Sequence, residues 1–444
     1  MASDWREYSF AELLSNIVDN RGKTCPTAES GLPLIATNCV KNENFYPSFD
    51  KIRYVSQETY ESWFRGHPKP NDLIFVCKGS PGNVCWTPDP VNFCIAQDMV
   101  AIRANEEIID PKFLFALLRS KSTQNKIVNM HVGTMIPHFK KGDFKNLFFE
   151  IPADIDFQKN VGEIYFNFCE KIELNRQMNQ TLENMAQALF KSWFVDFDPV
   201  IDNALAAGNP IPDALKAKAT QRTEQLEAAT QIGTPTAPNR ELFPSEFTFT
   251  EELGWIPKGW HVLGFEDLAE AKQGKYLSSD KMKSFKDDEY AYPVWGGNEI
   301  RGYSKKFTFE EPSVILTCRG SNCGLIKITD NESWVTNSSF ACLPKVGSAY
   351  FVYLYFLNEN FSSVVSGSAQ PQITYRALKN KIMKYPISNQ VVENFSEQVY
   401  LLRKKAILNT YKIKSLSSLR DTLLSKLLSG ELRVSEAAGM VEGV

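Results

Sequence analysis

Four histidines, no C-x-x-C pair and no run of 18 apolar residues close off several common chemistries in this 444-residue chain. The nine cysteines (Cys25, Cys39, Cys77, Cys85, Cys94, Cys169, Cys318, Cys323 and Cys342) are odd in number and lack zinc-ligand spacing. That argues against a disulfide framework or zinc site and predicts a reduced, cytoplasmic setting. The start, MASDWREYSF, has no basic-then-apolar signal pattern, and a soluble chain is expected. His67, His131, His138 and His261 do not form metal-ligand spacings, and none is predicted to bind a metal. There is no G-x-x-x-x-G-K-[ST] phosphate loop and no G-x-S-x-G nucleophile elbow. A strong basic excess is also missing: 49 Lys and Arg face 52 Asp and Glu, net −3. Any nucleic-acid contact must therefore rest on local charge or on charge supplied by partners.

What is present begins with ordinary globular composition, 43% apolar and 23% charged, at a length that suits two to four domains. The chain also repeats itself. GTMIPHFKKGDFKNLFFEIP at 133–152 aligns without a gap to GSAQPQITYRALKNKIMKYP at 367–386. Gly133/Gly367, Pro137/Pro371, Lys145/Lys379, Asn146/Asn380 and Pro152/Pro386 are identical across these 20 positions, where unrelated sequences share roughly one. DWREYSFAEL at 4–13 matches GWHVLGFEDL at 259–268, and FVCKGS at 75–80 matches LTCRGS at 316–321. The order is kept while the offset drifts, as loop insertions require. A period above 200 residues is too long for a solenoid and implies two copies of one large unit.

Each copy reads as a β-rich unit followed by a long helix. Strands are predicted at 72–79 and 99–104, and again at 313–320 and 338–344, from β-branched and aromatic runs bounded by turn residues. A short helix is predicted at 110–120; its counterpart at 349–361 is aromatic enough to be a helix or a strand.

The long helices carry an apolar 4-3 pattern. In copy two it runs Phe395, Val399, Leu402, Ala406, Asn409, Ile413, Leu416, Arg420, Leu423, Leu427. In copy one it runs Val161, Tyr165, Phe168, Ile172, Asn175, Asn179, Leu182, Ala186, Leu189, Trp193. A spacing of about 3.5 residues keeps one seam on one face, the signature of a coiled coil. Asn175 and Asn409 fall at the same seam position and are candidate register residues; a solvated Asn at a drifting helix edge is the plainer reading. The first helical region (154–198) carries four bases against eight acids, the second (390–434) eight against four. Opposite sign favours pairing with each other, although two separately solvated faces would look the same. The first helix is expected to stop before Pro199, and the second at Gly430. Residues 199–247, with six prolines, read as a linker with a short helix at 213–229, and 435–444 as a frayed tail.

The order of these parts resembles the specificity subunits of type I restriction–modification systems, from about residue 4 to 434. The segments that carry the resemblance are QALFKSWFVDFDP (187–199), LGWIPKGW (253–260), GSAQPQI (367–373) and LLSKLLSGELRV (423–434). The resemblance implies an α+β chain in which two β-rich target recognition domains, related by pseudo-twofold symmetry, are joined by two long antiparallel coiled-coil helices. The implied division is a recognition domain at 1–153, a spacer helix at 154–198, a linker at 199–247, a second recognition domain at 248–387, a second spacer helix at 388–434 and a tail. It further implies double-stranded DNA as ligand, read as an asymmetric bipartite target, with two methylation subunits and two motor-nuclease subunits as partners. S-adenosylmethionine, ATP and Mg²⁺ would be used by those partners, with no cofactor and no catalysis in this chain. In keeping with that, the sequence has neither an N/D-P-P-Y/F motif nor an F-x-G-x-G cofactor loop. Copy one departs from the family pattern at Ile136, where a polar residue is usual, which weakens contact roles assigned there.

Base edges are read by donors and acceptors, and phosphates are held by cations and amides. Candidates in copy one are Lys78, Ser80 and Asn83 in CKGSPGN, and Thr134, His138, Lys140 and Lys141 after it. In copy two they are Arg319, Ser321 and Asn322 in CRGSNCG, then Ser368, Gln370, Gln372, Thr374 and Arg376, with Asn298 and Arg301 from WGGNEIRG. Asn38, Lys41, Lys305 and Lys306 are weaker candidates, since exposed polar residues are normally just solvated. Arg suits guanine and Gln suits adenine; plain glycine turns are the competing reading for both loops. A protein-binding assembly scaffold built from the same duplicated module is the alternative function, favoured slightly by the net charge.

Overall fold

The computed structural model describes residues 4–20, 22, 24–49, 52–130, 137–231, 240–297, 299–367, 369–383 and 385–442. The chain divides into two compact units: Met1–Met178 with Leu408–Val444, and Asn179–Ile407.

In the first unit, Val and Ile runs bounded by turns form a four-stranded antiparallel sheet in the order Leu14–Val18, Met99–Ala104, Leu73–Val76, Val84–Trp86. Its central strand, LIFV at 73–76, is buried along its whole length. The helix Pro111–Arg119, capped by the Asp110 carboxylate accepting from the Phe113 amide at 2.9 Å, covers one face. Val18, Ile35, Ile74, Val76 and Ile95 fill the other. There a second sheet is ordered Arg53–Val55, Leu32–Ile35, Cys94–Ile95, its last pair parallel.

The second unit repeats this plan. Its sheet is ordered Ala269–Gln273, Ser339–Pro344, Val314–Thr317, Ile326–Ile328, all antiparallel. Its second sheet is ordered Met282–Lys283, Glu299–Ser304, Tyr292–Gly296, Trp334–Val335, and again the last pair is parallel. The ambiguous aromatic segment is a helix, Ala349–Leu357, capped by the Ser348 hydroxyl and packed on the sheet as its counterpart is. The two repeats detected in sequence are thus two copies of one topology.

The predicted long helices are Ile155–Phe190 (36 residues) and Asn389–Ser429 (41 residues), here helix one and helix two. All ten seam positions of each are buried or half-buried. In the first unit Val161, Tyr165, Phe168 and Ile172 of helix one share a core with Leu416, Leu423 and Leu427 of helix two. In the second unit Ala186 and Phe190 share one with Val391, Phe395 and Val399. Early residues of each helix meet late residues of the other, the order an antiparallel pair requires. Gly430, at φ 75°, stops helix two as expected.

Helix one stops before Pro199 as expected, giving way to a π turn at Lys191–Val195; Phe197 then adopts φ 57°, and a new helix that was not expected, Asp198–Ala207, starts with Pro199 in its first turn. Proline costs nothing there, because that amide has no helical partner. The segment read as a linker holds the helix Lys216–Gln231, close to the short helix expected at 213–229, and it is packed as well, with Val200, Ile201, Ala204 and Leu215 buried. An ion pair between buried Asp202 and Arg222 (2.6 Å) ties its two helices together. The expected frayed tail is the helix Val434–Glu442, anchored by buried Ala437. Apolar residues at single positions, too sparse to show as a period, hold both segments.

Candidate nucleic-acid interface

The two loops singled out in each copy are neighbours in space, and they meet in the same way twice. In the first unit the chain after strand Leu73–Val76 bridges the 137–139 segment. The Gly79 amide donates to the Pro137 carbonyl (3.0 Å), the Phe139 amide donates to the Cys77 carbonyl (2.8 Å), and Lys78 stands opposite His138. In the second unit the Gly320 amide donates to the Pro371 carbonyl (3.0 Å), the Ile373 amide donates to the Cys318 carbonyl (2.9 Å), and Arg319 stands opposite Gln372. Gly79 and Gly320 have φ 88° and 87°, a left-handed turn that a side chain resists. Below each junction a cysteine is buried. Burial pushes the Cys77 thiol up to about 12 and raises that of Cys318, so both are neutral apolar filler.

The polar residues at these junctions face outward. Ser80, Lys140 and Lys141 are exposed and Lys78 and His138 half-exposed; Arg319, Ser321, Asn322, Gln370, Gln372, Thr374 and Arg376 are exposed. Arg319, Gln372 and Thr374 line an open cavity of about 460 Å³ together with Gln273 and Tyr375. Sequence reading missed Gln273: it lies at a strand end outside any polar motif, and its amide donates to the Asn337 and Ser339 carbonyls (3.0 and 3.2 Å). In the first unit Lys141 borders a cavity of about 490 Å³ with Arg65, His67, Lys69 and Arg103, none of which stood out in the sequence.

Several candidates also carry local structural duties. The Asn83 amide donates to the Val40 carbonyl (3.0 Å). Thr374 caps the helix Tyr375–Lys379, accepting from the Ala377 amide at 3.2 Å. Lys141 pairs with Asp19 at 2.6 Å. Arg301 lies on strand Glu299–Ser304, against Gly296; a Cβ there would sit 2.2 Å from Arg301 Cδ. Asn409 is buried and Asn175 half-buried, its amide donating to the Lys171 carbonyl one turn back (2.7 Å). Thr134, Asn298 and Ser368 lie outside the described residues. Among the described residues, no group of three or more His, Cys, Asp or Glu could hold a metal ion, and no helix is long and apolar enough to cross a membrane.

Fold and site together define a duplicated α+β module that presents one strand–loop pair twice, with different side chains. A family model described as the type I restriction modification DNA specificity domain matches residues 3–184 and 257–414, and the chain belongs to that family. Its members are non-catalytic specificity subunits of type I restriction systems, and so is this chain. It is 27% identical, over 97% of its length, to the whole of the type I restriction enzyme HindI specificity subunit of Haemophilus influenzae. It is 24% identical, over 73% of its length, to 70% of the MjaIX specificity subunit of Methanocaldococcus jannaschii. The solved type I restriction–modification S subunit of M. genitalium is 17% identical, with 96% of both chains covered and a TM-score of 0.48.

Proposed function

We propose that this chain reads an asymmetric, bipartite DNA sequence, one half-site per unit, and that the helix pair sets the spacing between the halves. The observation that carries the reading is the repeated junction. One backbone geometry presents Lys78 and His138 in one unit and Arg319 and Gln372 in the other. A common geometry approaches DNA in the same way, while unlike side chains ask for unlike bases. Two methylation subunits and two motor-nuclease subunits dock on this chain in the cytoplasm, bringing S-adenosylmethionine, ATP and Mg²⁺ with them; this chain holds none of the three. Leu174 and Met185 of helix one and Tyr400, Leu401 and Tyr411 of helix two, all exposed, leave apolar surface for protein partners.

The test is to express the chain with its methylation subunits, map the methylated adenines they create, and measure binding to a duplex carrying the mapped site. Two unlike half-sites at one fixed spacing, bound in a salt-sensitive manner, are expected. Assembly with the partners but no sequence-dependent binding would favour the assembly scaffold instead.

A further inference from the structure

A second cavity, of about 650 Å³, opens in the Asn179–Ile407 unit beside the one lined by Arg319 and Gln372. Resting on the DNA-reading assignment above, we propose that it holds backbone phosphates of the DNA strand that flanks the half-site read by those two residues.

Charge is the first argument. Lys281, Lys305 and Lys306 line the cavity against one acid, Asp280. Lys305 is committed to Glu289. Lys281 and Lys306 are exposed; Lys281 stands near Asp280, and Lys306 makes no ion pair among the described residues. Three lysines against Asp280 and Glu289 leave the rim of this concavity net positive, and cations gathered there attract anions more strongly than the same groups dispersed over a surface.

Wall chemistry is the second. Trp334 is fixed by its indole N–H donating to the Lys275 carbonyl (2.9 Å), and Tyr276 is 73% exposed. Rigid apolar faces beside cations suit the deoxyribose and phosphate of a nucleotide. A free inorganic anion would use only the cations.

Placement is the third. Gln273 lines the first cavity and Tyr276 the second. Between them the Gly274 amide donates to the Ser339 carbonyl (3.0 Å) and the Lys275 amide to the Val335 carbonyl (2.9 Å), which pins the segment to the sheet. Gly274 is required for that approach, because a Cβ would lie 2.2 Å from the Thr336 carbonyl oxygen. Three residues reach at most about 10 Å, and a DNA strand carries one phosphate per roughly 3.4 Å of axis. Gln273 and Tyr276 therefore stand within a few nucleotides' reach of one strand, close enough for DNA read at the first cavity to meet the second.

The experiment uses the full chain and a duplex carrying its mapped site, with dissociation constants measured at several salt concentrations. Each phosphate contact adds about 0.9 to the slope of log affinity against log salt. The double variant Lys281→Gln/Lys306→Gln should lower that slope by about 2 and leave the preference for the correct over a scrambled half-site unchanged. Methylphosphonates at the flanking phosphates should weaken binding of the original chain and add nothing in the variant. An unchanged slope, or methylphosphonates that cost the variant as much, would overturn the assignment. Equilibrium dialysis showing dAMP bound without DNA, and lost in the variant, would also overturn it, because the cavity would then serve free nucleotide. Failure of the original chain to bind any duplex is a separate outcome, which removes the DNA-reading assignment itself.

Discussion

At the residue scale, the proposed reading puts the specificity of each unit on a few side chains at one junction. Arg319→Gln is expected to relax base preference in one half-site by about 1–3 kcal/mol and leave the other untouched; Lys78→Gln with His138→Ala should do the reverse. Methylation mapping on a library randomised in each half checks both, and a variant that degraded the two halves equally would count against separate readers. A second expectation concerns pH. Burial pushes the Cys77, Cys85 and Cys94 thiols up to about 12, against about 8.5 in an unfolded chain. The folded state therefore holds these protons when the unfolded state has lost them. Stability is fully present below pH ~8.5 and falls as pH rises toward 12. The urea midpoint should be nearly level from pH 6 to 8 and decline above 9; a level midpoint at pH 10.5 would contradict this. Much of the junction was legible in the sequence, because cation, hydroxyl and glycine after a strand recur in both copies. The local duties of Asn83 and Thr374 were not, since a side chain's first partner is decided by which backbone amide or carbonyl folds next to it.

At the element scale, the long helices were predictable because a seam of about 3.5-residue period needs only the chain's own spacing. Their breaks were harder to read. The π turn at Lys191–Val195 and the left-handed Phe197 are imposed by packing, as Trp193 and Phe194 turn into a core with Phe243, Trp260 and Phe395. Phe395 sits against Phe190, Trp193, Phe194 and Phe351, with ring centroids at 6.0, 5.7, 5.2 and 5.9 Å. Phe395→Ala should destabilise the second unit by about 3–5 kcal/mol through the cavity left behind, read as a fall in the denaturant midpoint. The spacer role predicts more. One heptad inserted after Met178, with a matching one after Ile407, lengthens each helix by about 10 Å, which is about three base pairs at ~3.4 Å each. The preferred gap between half-sites should grow by that amount, and an unchanged gap would refute the ruler.

At the scale of the whole molecule, five identities in 20 positions signalled a duplication that the strand orders of both units bear out. The sequence by itself determined the repeat, the seam of each helix and the polar loops, because these depend on spacing along one chain. Tertiary structure alone decided that residues 77–79 and 137–139, and likewise 318–320 and 371–373, close into one junction. It also decided that residues 271–278 run from one cavity to the next. Hydrogen bonds between segments so far apart along the chain leave no periodic trace in sequence, and only the folded sheet, by fixing which strand ends are neighbours, brings those loops together.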